Sequence, residues 1–171
     1  MGVKTRELLG VYLNDHLAGS TAGMGMARRI AASAQDMPAP AGVLKRFAAE
    51  VTEDRATLVR IMAALGIRVR GYKMYAAWAG EKLGRLKPSR CLPGRSPLCS
   101  LEELEIMRLD VEGRAAGWRT LRSLADRDSR LDAGRLDELI ARAAGQADLL
   151  ETLRADMAER IFQPSGPEVA G

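Results

Sequence analysis

Apolar residues return every three or four positions through four long stretches of this chain, and each stretch is closed by residues that helices reject. The first, 5–34, carries Leu9, Tyr12, His16, Gly19, Gly23, Met26 and Ile30 on one stripe. "DMPAPAG" at 36–42 ends it, because two prolines and a glycine cannot continue a helix. The second, 43–65, aligns Phe47, Val51, Asp54, Leu58, Ile61 and Leu65, with Gly66 as its stop. Ser100 followed by Glu103 has the spacing of a capping box and predicts the start of a third helix over 100–125. Its inward residues are Leu104, Met107, Val111, Ala115, Trp118, Leu121 and Ala125. After the polar "DRDSRLD", a fourth helix over 133–162 carries Leu136, Leu139, Ala143, Gln146, Leu150, Leu153 and Met157. The tail at 163–171, "QPSGPEVAG", has the composition of a loose end.

Aromatic residues make up only 4% of the chain while alanine, leucine, arginine and glutamate dominate, which favours helix over sheet. Short links join the first helix to the second and the third to the fourth, so each pair is expected to be an antiparallel hairpin. The connection between the pairs, 67–99, is long enough to cross from one pole of a bundle to the other and still hold a short helix at 72–86. One all-α domain over 1–162 is therefore expected. No run of apolar residues is long enough for a membrane span and no leader segment opens the chain, so the expected location is the cytoplasm, with no membrane partner. There the two cysteines, Cys91 and Cys99, are expected as reduced loop thiols, a redox bridge or a part with His16 in binding a metal being the alternatives.

Charge is unevenly placed. Residues 67–100 hold eight basic side chains against Glu81, whereas 101–171 hold ten basic and fifteen acidic groups. Arg85, Lys87, Arg90 and Arg95, with Tyr72, Tyr75 and Trp78 nearby, would suit an anion or nucleic acid bound through 68–95. The leading expectation is that the acidic third and fourth helices neutralise this segment, within the chain or between subunits.

Two hairpins joined by a long crossover resemble the ferritin-like superfamily, an up-down four-helix bundle. The words "YLNDHLAGSTAG", "AEVTEDRATLVRIMAALG" and "EKLGRLKPSRCLPGRSPLCSLEELE" also resemble a bacterial family of ferritin-like proteins that lacks an intact di-iron motif. The resemblance spans about 5–162 and implies the bundle, but no established activity. Di-iron members set a glutamate on each of two helices and Glu-x-x-His on the other two, because two close cations need several carboxylates and imidazoles around them. No Glu-x-x-His occurs here; Asp54 lies level with Gly19 and Gly23, and His16 is out of level with it by roughly 5–10 Å.

His16, the only histidine, is expected to hydrogen-bond in the core with Asp15 at its edge. An unconventional iron or manganese site drawn from His16, Asp15, Glu50, Asp54 and Gln146 is the alternative. Asp54, buried, needs a partner, and Arg28, Arg29 or an inward Arg108 is expected to supply it in place of an ancestral metal. Gly19, Gly23 and Gly25 are expected to serve close helix packing or to make space for Trp118, a small ligand pocket beside Tyr12 and His16 being the alternative. These features lead to a non-enzymatic structural or interaction protein, self-associating as a homo-oligomer such as a dimer. A metal-binding oxidoreductase or stress-protective protein is the second reading, and the anion or nucleic-acid binder is the third.

Overall fold

The computed structural model describes residues 3–70 and 96–163. Among these residues the chain is all-helical, with four long helices and no strand: α1 (Val3–Ala32), α2 (Ala41–Ala64), α3 (Pro97–Ala125) and α4 (Ala133–Phe162). A single 3-10 turn, Ala34–Asp36, lies between α1 and α2. The short helix expected at 72–86, the basic residues Arg85, Lys87, Arg90 and Arg95, and all of the tail except Gln163 lie outside the described residues.

Each boundary has a chemical cause. Asp132 caps α4 by accepting the Arg135 N–H at 2.9 Å. The start of α3 corrects the capping box expected at Ser100. Ser96 is the cap, its hydroxyl accepting the Leu98 N–H at 3.3 Å, and Pro97 follows in the first turn, where a missing N–H costs nothing. Ser100 is instead a buried helical residue whose hydroxyl has no hydrogen-bond partner among the described residues. Cys99, beside it, is buried and disulfide-bonded, so it is not the reduced thiol expected; Cys91, the other cysteine of the sequence, lies outside the described residues.

The cross-helix contacts set the directions. Between α1 and α3, the Tyr12 hydroxyl meets Thr120 Oγ1 at 3.0 Å, His16 lies against Gly117, Gly23 against Asp110, and Arg29 pairs with Glu103 at 3.8 Å. As one number rises the other falls, so the two helices are antiparallel. The same holds for α1 with α2 (Thr21 with Arg55, 2.9 Å), for α3 with α4 (Arg122 with Asp137, 3.0 Å) and for α2 with α4 (Asp54 with Arg142, 3.0 Å). It follows that α2 and α3 run parallel. The chain must therefore return the length of the bundle between them, about 36 Å for the 24 residues of α2.

The start of that return is visible. Gly66 adopts φ +66°, its N–H bonds Ala63 O at 3.0 Å and the Ile67 N–H bonds Met62 O at 2.8 Å, the paired closure that reverses a chain at a helix end. Arg6 and Arg130 donate to the carbonyls of Gly66 and Leu65, at 2.8 and 3.2 Å. Buried Asn14 then holds the outgoing strand of chain against α1. Its amide donates to Gly10 O and Arg68 O, and its carbonyl accepts the Arg70 N–H at 2.7 Å.

The core is formed by Leu13, Ile30, Leu44, Phe47, Met62, Leu104, Met107, Trp118, Leu121, Leu136 and Leu139 with their neighbours. The expected stripes of α2, α3 and α4 face inward apart from Ile61 and Ala125, which are half-buried. In the first half of α1 the inward residues are Leu13, Leu17 and Ser20, while Tyr12, His16 and Gly19 lie half-buried on the flank. Two adjacent stripes of similar apolarity compete there, and the one with two leucines buries more surface. Replacing Gly66 with alanine places a Cβ in the left-handed region and against the Arg6 guanidinium; a loss of about 1–2 kcal/mol is expected in urea denaturation.

Candidate functional site

Halfway along the bundle the core turns polar. Asp54 of α2, Arg114 of α3 and Gln146 of α4 are 1%, 4% and 3% exposed and meet in the centre. Arg114 Nη1 donates to Asp54 Oδ2 at 2.9 Å and reaches Gln146 Oε1 at 3.4 Å, while its Nη2 donates to Asp110 Oδ2 at 3.1 Å. Arg142 Nη1 donates to the other Asp54 oxygen at 3.0 Å. The Gln146 amide donates to Glu50 Oε2 at 3.1 Å and Asp54 Oδ2 at 3.3 Å. Burial outweighs the neighbouring guanidiniums and raises the carboxyls of both Asp54 and Asp110 above their ordinary range.

Of the residues singled out in the sequence, Glu50, Asp54 and Gln146 are brought together, and His16 and Asp15 are not part of that hydrogen-bonded group. Asp54 has an arginine partner, but not one of those expected. Arg108 lies half-exposed beside Glu151 at 3.4 Å, Arg29 is exposed beside Glu103, and Arg28 is exposed. The inward arginine of α3 is Arg114, one turn and a half further on. Its signal was present: Arg114 follows Val111 by three on the buried stripe and follows Asp110 by four, the spacing of a helical ion pair. Asp110, Arg114 and Arg142 are thus the functional candidates that the sequence reading missed.

Of Gly19, Gly23 and Gly25 on α1, Gly23 alone receives a side chain, and nothing lies closer than 4.0 Å to a Cβ on Gly19. A Cβ on Gly23 would overlap the Asp110 carboxylate, so Gly23 is the socket that receives it. Gly117 of α3 does the same for the His16 ring, whose Nδ1 would lie 3.1 Å from an added Cβ. Gly25 has open space around it and needs no such account. His16 packs edge-on to Tyr12 with ring centroids 4.4 Å apart and makes no hydrogen bond among the described residues, in place of the core hydrogen bond expected. Burial holds its imidazole below the ordinary histidine value despite the opposing charge of Asp15, which is exposed.

This donor set does not fit a pair of metal ions. Both oxygens of Asp54 are occupied by guanidiniums, and a divalent cation placed there would face two fixed positive charges. Among the described residues no group of three or more histidine, cysteine, aspartate or glutamate side chains is placed to hold a metal ion. No helix among them is long and apolar enough to cross a membrane. Comparison of the chain with protein-family models, with curated proteins and with solved structures gives no match.

Removing one partner of a buried ion pair leaves the other charge uncompensated. Arg114→Met is expected to cost about 3–5 kcal/mol in denaturant unfolding, and pairing it with Asp54→Asn is expected to recover part of that loss. The His16 shift has a definite sign. The folded imidazole resists the proton that the unfolded one accepts, so its contribution is full above about pH 6.5 and is lost as pH falls towards its lowered value. Asp54 and Asp110, shifted upwards, act with the opposite slope. His16→Gln is therefore expected to gain stability relative to the wild type as the pH drops below about 6.5, measured as the difference between their thermal midpoints.

Proposed function

We propose that the protein is a non-enzymatic, ferritin-like scaffold in which a guanidinium-filled centre stands where di-iron relatives hold metal, and that it acts through protein contacts. The observation that carries this reading is the pair of arginines, Arg114 and Arg142, on the two oxygens of Asp54 at mid-bundle. Parallel α2 and α3, with 65–96 between them, support the ferritin-like plan, since that topology needs one long crossover. On this reading the polar layer keeps the four helices in one register. Leu8, Leu109 and Phe162, each more than three-fifths exposed, offer apolar surface to a second copy of the chain in the cytoplasm.

Elemental analysis of protein purified without chelator, then incubated with iron(II) and manganese(II), tests the proposal. Substoichiometric metal, equal in the wild type and in His16→Ala, is the expected result. Stoichiometric iron or manganese that disappears in His16→Ala would replace the scaffold reading with a metal-dependent oxidoreductase. Sedimentation is expected to give a dimer that Leu109→Glu or Leu8→Glu weakens.

A further inference from the structure

On the other side of the polar centre, α2 and α4 border a cleft of about 340 Å³, walled by Val43, Arg46 and Glu50 of the one and Arg142, Gly145 and Leu149 of the other. The pairs Asp54–Arg142 and Glu50–Gln146 set the levels along it, one helical turn apart. Arg46, a further turn along α2, therefore stands close to the level of Leu149. The charges at the inner end, Asp54 and Asp110 against Arg114 and Arg142, are paired with one another. Those left to face the cleft are Arg46 and Glu50. Four residues apart on one helix face, they have the spacing at which opposite charges commonly meet, yet they form no ion pair. The Gln146 amide holds Glu50 Oε2 at 3.1 Å and leaves Oε1 without a hydrogen bond. Arg46 is exposed and has no hydrogen-bond or ion-pair partner among the described residues. Val43 and Leu149, both half-buried, supply apolar wall, and a Cβ on Gly145 would meet nothing within 4 Å.

We infer that this cleft binds a free α-amino acid with an apolar side chain. Its carboxylate meets the Arg46 guanidinium, its ammonium meets Glu50 Oε1, and its side chain lies against Val43 and Leu149. A simple anion would satisfy Arg46 and be repelled by Glu50, and a simple cation would meet the reverse. Only a ligand with both charges close together satisfies both groups, through two charge-assisted contacts. Both are open to such a ligand, Arg46 being exposed and Glu50 half-buried. A concave, partly apolar wall with a few convergent polar groups has the character of a small-ligand site. The cleft needs neither a metal nor a second copy of the chain, so the inference goes beyond the scaffold reading and stands or falls separately from it.

Calorimetry on the full chain tests the assignment with four probes. L-leucine carries both charges and a branched apolar chain; isocaproate lacks the ammonium, isoamylamine lacks the carboxylate, and free glycine lacks the apolar chain. Saturable binding of L-leucine is expected, about tenfold or more tighter than that of any of the other three. Arg46→Gln removes an unpaired, exposed cation outside the polar layer, so it is expected to weaken L-leucine by about tenfold and leave the thermal midpoint in place. Gly145→Leu puts a side chain into the cleft at an exposed helical position and replaces a poor helix former, so it is expected to abolish binding without lowering the midpoint. No saturable response to L-leucine, an equal response to any of the three partial probes, or unchanged L-leucine binding in either variant would overturn the assignment.

Discussion

One guanidinium organises this bundle. Arg114 lies on α3, yet its contacts reach Asp54 on α2 and Gln146 on α4, and the Asp110 carboxylate it holds is the group that presses into Gly23 of α1. A buried ion pair is a poor source of net stability, because desolvating both charges offsets most of their attraction. Its effect on geometry is another matter. An apolar layer tolerates small rotations and shifts, whereas this layer is satisfied only when a residue from each helix stands at one height. The leucines and methionines above and below can then pack in a single way.

Much of the architecture was legible because helices declare themselves through periodicity and stop signals. The fourth helix is found at the residues its pattern predicts, and α2 differs by two residues at its start and one at its end. The level of Asp54 against Gly19 and Gly23 was also readable from helical rise alone. What the pattern could not rank was a contest between neighbours. Tyr12 and His16 lie beside Leu13 and Leu17, and only packing decides which pair turns inward. On α3, Ala115 lies on the apolar stripe, and Arg114, next to it, is buried as well. An arginine on a buried stripe looks like an error in the pattern until its carboxylates are located in space, and those come from residues 60 positions before it and four before it. The helix start at Ser96 was obscured by a second plausible cap four residues later.

The polar layer and the Gly66 turn solve different halves of one topological problem. The layer sets how α2, α3 and α4 align; the turn, with Asn14 behind it, sends the chain back along α1 rather than away from the bundle. Asn14 does so with every polar atom of its amide engaged on backbone, which is how a side chain of that kind is accommodated at 3% exposure.

Two keys and two sockets join α1 to α3: Asp110 in Gly23, and His16 on Gly117. Each socket has a twin one turn away, Gly19 on α1 and Gly113 on α3, and both twins lie in the direction of the same slide. A displacement of α1 by four residues, about 6 Å, would seat Asp110 at Gly19 and His16 at Gly113 together. The opposite slide meets Ala27 and is blocked. The pair of helices is thus notched with one spare socket on each side, and the Tyr12–Thr120 hydrogen bond, the Arg29–Glu103 ion pair and the polar layer around Arg114 keep it at the register seen.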